Sequence, residues 1–251
     1  MRILIKNGTV IDPANHVYSR QNLWIEDGKI AGYGDDLTME ASFDRVIDAS
    51  GLVAVPGFID IHMHEDPIDA GTGRPDTCIS RCMLRMGVTT VLGGNCGINV
   101  YDPAEYLDRT DRYGMPVNIA LMAGQTWARE KAGAADKYGP VSAAQLEEEK
   151  RILRGALDAG CFGVSFGIRY VPGLDRNELL ETAGVCGREK HLISAHVRDD
   201  AAQIFGAVEE FLDIGRTLGL RTQVSHVGSM GGYGQMKELL AILDRERAMG
   251  L

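Results

Sequence analysis

The sequence predicts an α/β protein in which parallel strands, each followed by a helix, begin to close a (β/α) barrel. After about residue 51, short apolar runs alternate with longer helical stretches, as in parallel sheets with right-handed crossovers. Glycines flank many of these runs, where they permit sharp turns at strand ends. Histidines or a cysteine follow four of the runs. Because the ends of barrel strands meet at one mouth, we expect these side chains to converge.

The sequence of residues 1–53 predicts β-strands without helices. Short apolar runs at Ile3–Ile5, Thr9–Asp12 and Arg45–Asp48 are candidate strands. Asp27 and Gly28 separate two further runs, and this dipeptide is typical of a two-residue hairpin turn. We expect a small β-sandwich portion over residues 1–53, too small to be an independent domain, followed by a barrel over residues 54–251.

The barrel portion contains about six strand–helix units. The predicted strands are Val53–Ile61, Val88–Leu92, Pro116–Leu121, Phe162–Phe166, Leu192–His196 and Arg221–His226. The predicted helices are Thr77–Met86, Pro103–Tyr113, Ser142–Asp158, Asp175–Lys190, Ala201–Leu218 and Met236–Ala248. Within the third helix, Glu147–Lys150 is interpreted as a solvated face. A closed barrel needs eight units, so we expect a barrel that is incomplete at the C-terminus. An open, doubly wound six-stranded sheet is the alternative.

Two histidines at the end of the first predicted barrel strand are the strongest candidate metal ligands. His62 and His64 are two residues apart, and on a strand such residues point to the same side. Both imidazoles can therefore reach one ion. The alternative is that they are two polar residues at the barrel rim.

Cys96 follows the second predicted strand, and His196 and His226 each end a later one. Thiolate and imidazole are typical zinc ligands, and an open zinc site activates water for hydrolysis. In the barrel all five candidates would surround one mouth, whereas in an open sheet they would be spread along an edge. Alternatively, Cys96 is a small buried apolar residue, and each histidine belongs to the core or the rim.

Composition narrows the classes of partner. The 251 residues are 45% hydrophobic and 24% charged, with a net charge of -9, which does not favour nucleic acid or an anionic membrane. Charge and glycine interrupt the N-terminus too early for a signal peptide, and no apolar run approaches membrane-spanning length. The five cysteines are scattered, which suggests a reducing cytoplasm. We expect a cytoplasmic protein, and an oligomer is compatible with the sequence.

Arg169, Tyr170 and Arg198 follow predicted strands four and five. A cation and a phenol at the mouth would suit a substrate that carries a carboxylate. Surface pairing of the arginines with nearby aspartates is equally compatible with the sequence. Gly228–Gly234 is interpreted as a loop that either closes over substrate or is a plain connection.

Several segments resemble a known enzyme family. Val55–His64, together with Ile25–Ile30 and Val46–Ala49, resembles the signature of the amidohydrolase superfamily. Other segments resemble its D-aminoacylases, or N-acyl-D-amino-acid deacylases: Gly87–Gly97, Gly163–Gly167, Tyr170, Pro172–Gly173 and Ala195–Asp199. The resemblance covers nearly the whole chain and corresponds to the N-terminal part of the family's full length. It implies a TIM-like (β/α) amidohydrolase barrel.

The resemblance also implies a set of zinc ligands. Cys96 would replace the carboxylated lysine that bridges two metals in hydantoinases and dihydroorotases. Cys96, His196 and His226 would form the tight zinc site, while His62 and His64 would hold a weaker or partly empty second one. Two departures stand out: the family's aspartate after strand eight, its general base, lies beyond Leu251, and Val227 and Gly228 stand where related deacylases often carry histidine and lysine.

From the ligands and the resemblance we expect zinc-dependent hydrolysis of an amide bond in a small molecule. The expected reaction is deacylation of an N-acyl-D-amino acid or a related compound by metal-activated hydroxide. One alternative is another amidohydrolase that acts on a cyclic amide or a dipeptide. The other is a non-catalytic, truncated barrel that lacks the strand-eight aspartate.

Overall fold

The structure is a computed structural model that describes residues 1–35, 42–187 and 190–251. It divides into two compact units, Met1–Phe58 and Ile59–Leu251. The division falls later than the predicted one after residue 53, because Val53 and Ala54 pair with Thr9 and Val10 of the first unit. The predicted β-sandwich portion over residues 1–53 and barrel over residues 54–251 stay a prediction.

The first unit contains two small sheets. Its strands are β1 (Arg2–Lys6), β2 (Thr9–Asp12), β3 (Val17–Arg20), β4 (Asn22–Glu26), β5 (Lys29–Gly34), β6 (Arg45–Asp48) and β7 (Val53–Ala54). They form one sheet in the order β5-β4-β1-β6 and another in the order β3-β2-β7. The predicted hairpin is present between β4 and β5. Its turn residues, Asp27 and Gly28, have φ values of 49° and 78°, as a turn matching the strand twist requires.

The second unit alternates strands and helices. Its strands are β8 (Phe58–Asp60), β9 (Val88–Gly93), β10 (Asn118–Leu121), β11 (Ala123–Gly124), β12 (Gly163–Gly167), β13 (Leu192–His196) and β14 (Arg221–Val224). Its helices are α1 (Cys78–Arg85), α2 (Pro103–Tyr113), α3 (Gln125–Lys131), α4 (Ala143–Asp158), α5 (Arg176–Ala183), α6 (Ile204–Leu218), α7 (Val227–Met230) and α8 (Met236–Ala248). None of the described helices is long and apolar enough to span a membrane.

The strands of the second unit neighbour one another in chain order. One sheet has the order β8-β9-β10 and the other β11-β12-β13-β14, with parallel pairing of β9 to β10 and throughout the second sheet. Only Met122 separates β10 from β11, and its N–H donates to Gly93 O at 2.9 Å. This order confirms the predicted α/β class, while closure into a barrel stays a prediction.

The main hydrophobic core lies between the second sheet and helices α3 to α6. Val164, Phe166 and Ile193 of β12 and β13 are completely buried, as is Phe211 of α6. The rings of Phe166 and Phe211 pack with their centroids 5.9 Å apart. Burying each such side chain contributes about 1.5–3 kcal/mol, so this core holds the strand ends that follow it in fixed positions.

Several predicted boundaries differ from the structure. Only Phe58–Asp60 of the first predicted barrel strand joins β9. The predicted helix Asp175–Lys190 ends at Ala183, because Gly184 is a poor helix former; residues 188 and 189 lie outside the described residues. The interpretation of Gly228–Gly234 as a loop is wrong at its start, where α7 occupies Val227–Met230.

The interpretation of Glu147–Lys150 as a solvated face is wrong for Glu149. Glu149 comes two residues after Glu147, and on a helix this spacing turns the Glu149 side chain to the opposite face of α4. Glu149 is fully buried. There Gln125 Nε2 donates to Glu149 Oε1 at 2.7 Å and to Glu178 Oε1 at 3.0 Å. Arg129 Nε donates to Glu178 Oε1 at 2.9 Å. Burial and the neighbouring Glu178 raise the pKa of Glu149 to about 8.

Candidate metal centre

Three side chains from separate strand ends form a compact group of metal-ligand atoms. The ligand atoms of His62, Cys96 and His226 all lie within 4.8 Å of one another. Cys96 Sγ lies 3.2 Å from His226 Nε2 and 3.5 Å from His62 Nε2. His196 Nδ1 lies 3.9 Å from the same sulfur. The structure therefore brings three of the predicted histidine ligands around the thiol of the fourth ligand, Cys96.

The backbone brings these ligands together through turns that directly follow the strands. His62 stands two residues after β8, where its N–H donates to Asp60 Oδ1 at 2.9 Å. Cys96 and His226 both adopt a φ of 60°, a left-handed conformation that costs a residue with a side chain about 1–3 kcal/mol. Such conformations persist only where the surroundings enforce them, and they cluster at functional sites.

Glycines pack the Cys96 turn against its neighbours. A Cβ at Gly94, which has a φ of 70°, would overlap the carbonyl oxygen of Met122. A Cβ at Gly97 would lie 2.6 Å from Gly167 N, and one at Gly124 would lie 2.5 Å from Gly97 O. These close backbone approaches require glycine, and they leave the Cys96 turn little room to move.

The grouping of the histidines differs from the one that the resemblance implies. His64 is exposed, and its ring centroid lies 5.9 Å from that of His62. His62 instead packs against His226, with ring centroids 4.2 Å apart. The Cys96 thiol contacts both of these rings, so His62 joins the compact group, whereas His64 is exposed.

Burial favours the neutral form of these ligands. It lowers the pKa of His62 to about 4, with further lowering from the nearby His226 and His64. Burial likewise lowers the pKa of His196 and of His226. It raises the pKa of the Cys96 thiol to about 11. Neutral imidazoles are the form that binds metals, and a cation beside the thiol would favour its thiolate form.

The donor set fits zinc. Imidazole nitrogen and cysteine sulfur are the ligands that zinc prefers. His62 Nδ1 is buried without a hydrogen-bond partner, an arrangement that is costly unless something else satisfies the nitrogen. The convergence of half-buried imidazoles on a single buried thiol is suited to a bound cation.

Of the predicted substrate contacts, Tyr170 touches this group, and the two arginines pair with different carboxylates. Tyr170 Oη lies 3.0 Å from His196 Nδ1. Arg169 is exposed and pairs with Asp199 at 2.8 Å. Arg198 donates to both carboxylate oxygens of Glu210, at 2.7 to 3.1 Å.

Arg198 also supports a loop. Its guanidinium donates to Leu174 O at 2.7 Å and to Pro172 O at 3.3 Å. Both arginines line a cleft of about 350 Å³, together with Ile168, Pro172 and Asp199. The partner carboxylate, Glu210, lies twelve residues away on α6, a distance at which sequence offers no pairing signal.

Comparison with known proteins identifies relatives along nearly the entire chain. No protein-family model matches it. N-acyl-D-glutamate deacylase of Alcaligenes xylosoxydans xylosoxydans is 30% identical over 275 residues, which covers 99% of this chain and 55% of the relative. D-aminoacylase of the same organism is 30% identical over 98% of this chain and 55% of its own length. The chain thus spans about half the length of the curated relatives it matches.

A solved structure shows the same similarity in three dimensions. N-acyl-D-glutamate deacylase of Bordetella bronchiseptica, in complex with zinc and a phosphonate inhibitor that mimics the tetrahedral intermediate, superposes with a TM-score of 0.82. The sequences are 29% identical, and the match covers 99% of this chain and 56% of that one.

Proposed function

Because the chain is homologous over nearly its whole length to N-acyl-D-glutamate deacylase and D-aminoacylase, which are amidohydrolases, we propose that its metal centre serves zinc-dependent hydrolysis of an amide bond. The proposed substrate is an N-acyl-D-amino acid or a related small molecule. The observation that carries the proposal is the approach of His62, His226 and His196 to the single thiol of Cys96.

The proposed metal ligands divide between a tight site and a weaker one. His62, Cys96 and His226 would hold the tight zinc ion, with His196 completing the set, and His64 would contribute to a weaker second site. A bound zinc ion would lower the pKa of a water molecule towards about 7 and polarise a carbonyl group. The ligand turns hold the four side chains in place, so little reorganisation is needed when the ion binds.

Tyr170 and Arg169 are the proposed substrate contacts. The Tyr170 hydroxyl lies beside His196 and can donate a hydrogen bond to a substrate oxygen. Arg169 pairs with Asp199 at the surface, where such pairs contribute about 0–1 kcal/mol. A substrate carboxylate can therefore take the place of Asp199. Arg198, held by Glu210 and two carbonyl oxygens, instead supports the loop that follows β12.

The test is metal content and amide hydrolysis measured on the same preparation. We expect about one tightly bound zinc ion per chain and release of free amino acid from N-acetyl-D-amino acids, with little release from the L-enantiomers. Cys96→Ala should lose both properties. Cys161→Ala is the matched control, since Cys161 is equally buried and lies outside the ligand group. Zinc binding without hydrolysis would exclude the enzymatic proposal for this chain, and the absence of zinc would exclude the metal centre.

A further inference from the structure

Asn95 connects the ends of three strands beneath the metal centre. Its side chain is completely buried. Asn95 Nδ2 donates to Leu92 O at 2.8 Å and to Ile61 O at 3.4 Å, and Asn95 Oδ1 accepts a hydrogen bond from Ser194 Oγ at 3.3 Å. One amide group thus bonds to β9, to the segment after β8 and to β13.

Each of these contacts lies next to a metal-ligand candidate in the sequence. Ile61 directly precedes His62, Ser194 stands two residues before His196, and Asn95 itself directly precedes Cys96. A fourth segment reaches the same point, because Gln223 Nε2 of β14 donates to Ile61 O at 3.3 Å. The relative positions of the ligand turns therefore depend on hydrogen bonds to this amide and to the carbonyl group of Ile61.

Asn95 and Ser194 are completely buried, so the hydrogen bond between their side chains is costly to lose. A buried polar group that loses its partner costs about 1–3 kcal/mol. The left-handed backbone of Cys96 adds a local strain that neighbouring contacts must oppose. Removing the Asn95 amide donors would allow the Cys96 turn to relax away from His62 and His196.

We propose that Asn95 is a positioning residue, which sets the distances between the Cys96 thiol and the imidazoles of His62 and His196. It does not touch the substrate and acts only through the ligands. The predicted effect of Asn95 on metal affinity rests on the proposed zinc site. Its predicted effect on the position of Cys96 can be measured without metal.

Two substitutions test the role in metal binding. Asn95→Asp keeps the shape but removes both donors, and Ser194→Ala removes the hydroxyl that donates to Asn95 Oδ1. We expect Asn95→Asp to weaken zinc binding about 10–100-fold, the usual effect of losing a partner behind a ligand, and Ser194→Ala to weaken it less. In cobalt-substituted protein, both variants should change the visible and thiolate charge-transfer bands, which report coordination geometry.

Matched controls separate positioning from general destabilisation. Ser80→Ala removes the hydroxyl of a buried residue, which donates to Thr77 O at the start of α1. Asn22→Asp alters a buried asparagine of the first unit. Neither should change the cobalt spectrum or the zinc affinity. Equal losses in these controls, or an unchanged affinity and spectrum in Asn95→Asp, would overturn the inference.

A metal-free measurement keeps the inference independent of the proposed function. Cys96 is 3% exposed, and its alkylation can be followed at the peptide level by mass spectrometry alongside the exposed Cys78 and Cys82. Asn95→Asp should increase the alkylation rate of Cys96 on the order of tenfold, while Ser80→Ala should leave it unchanged. If the unmodified protein bound no zinc, the proposed function would fail, and this rate alone would decide the role of Asn95. An unchanged alkylation rate of Cys96 in Asn95→Asp would refute the positioning role.

Discussion

The sulfur of Cys96 lies 3.2 Å from Nε2 of His226, although 130 positions separate the two residues in the chain. Both residues have a φ of 60°, so two strained turns direct their side chains at one another. The contact joins the turn after β9 to the turn after β14.

Replacing His226 with alanine should abolish tight zinc binding. The substitution removes a nitrogen ligand from the group in which the Cys96 thiol is central, and we expect an affinity loss larger than the 10–100-fold seen for outer partners of a ligand. Zinc content by elemental analysis, with affinity by competition against a chelator, measures it. His191→Ala is the control, because His191 bonds to Gly187 N, away from the group. Full zinc retention by His226→Ala would remove this residue from the proposed site.

Gly94→Ala should destabilise the protein more than Gly133→Ala. Both glycines have left-handed φ values, 70° and 81°, so both substitutions share a backbone cost of about 1–2 kcal/mol. Only at Gly94 would the added Cβ overlap backbone, at Met122 O, whereas the space around Gly133 is open. We expect an extra loss of about 1–3 kcal/mol at Gly94, measured by urea unfolding. Equal losses would show that the Cys96 turn can shift freely.

Glu149→Gln should flatten the pH dependence of stability. The pKa of Glu149 in the folded protein is about 8, above its ordinary value of 4.5, so the folded state binds this proton more tightly. The stabilising contribution is therefore complete below about pH 4.5 and falls as pH rises towards about 8, by about 1.4 kcal/mol per pH unit.

Glutamine imitates the protonated carboxyl group and has no proton to lose in this range. Urea unfolding of both proteins at pH 6, 7 and 8 should show a shallower decline for Glu149→Gln, with the variant more stable at pH 8. Glu147→Gln, at an exposed position of the same helix, should leave the slope unchanged. Parallel curves for Glu149→Gln and the unmodified protein would contradict the protonated state of Glu149.

Arg169→Ala and Arg198→Ala should have different effects. For hydrolysis of an N-acyl amino acid, Arg169→Ala should raise KM about tenfold with little change in kcat, because it removes a charged hydrogen bond to the substrate carboxylate. Arg198→Ala should instead lower the free energy of unfolding by about 1–3 kcal/mol, because it leaves Glu210 and Leu174 O without their donor. Steady-state kinetics and urea unfolding distinguish them. Unchanged constants in Arg169→Ala would exclude it from recognition.

Helices and strands that are marked by local sequence signals were predictable from the sequence. Helix α4 follows Ser142, whose side chain and Gln145 form a capping box, and α2 has the predicted bounds, Pro103–Tyr113. The bounds of β13, Leu192–His196, also agree with the prediction. In each case the residues that define the element lie within it or beside it. The family resemblance is confirmed by relatives that match nearly the whole chain.

Features that depend on distant neighbours were not predictable. Helical spacing places Glu149 on the buried face of α4 with Leu153 and Leu157. Its hydrogen-bonded neighbours could not be predicted, because Gln125 and Glu178 come from α3 and α5. The choice of Arg198 between substrate and Glu210 likewise depends on where α6 packs. The role of Asn95 becomes visible only when Ile61 and Ser194 are brought to it.

The candidate ligands show both what the sequence determines and what it does not. Their residue types and positions after apolar runs follow from the chain alone, because strand ends and zinc chemistry are local properties of a few residues. Their grouping does not, since the structure places His62 with Cys96 and His226 and leaves His64 exposed. Spacing along a strand sets only the side to which a residue points. Distances between strands arise from packing and from buried hydrogen bonds, which involve residues that are far apart in the sequence.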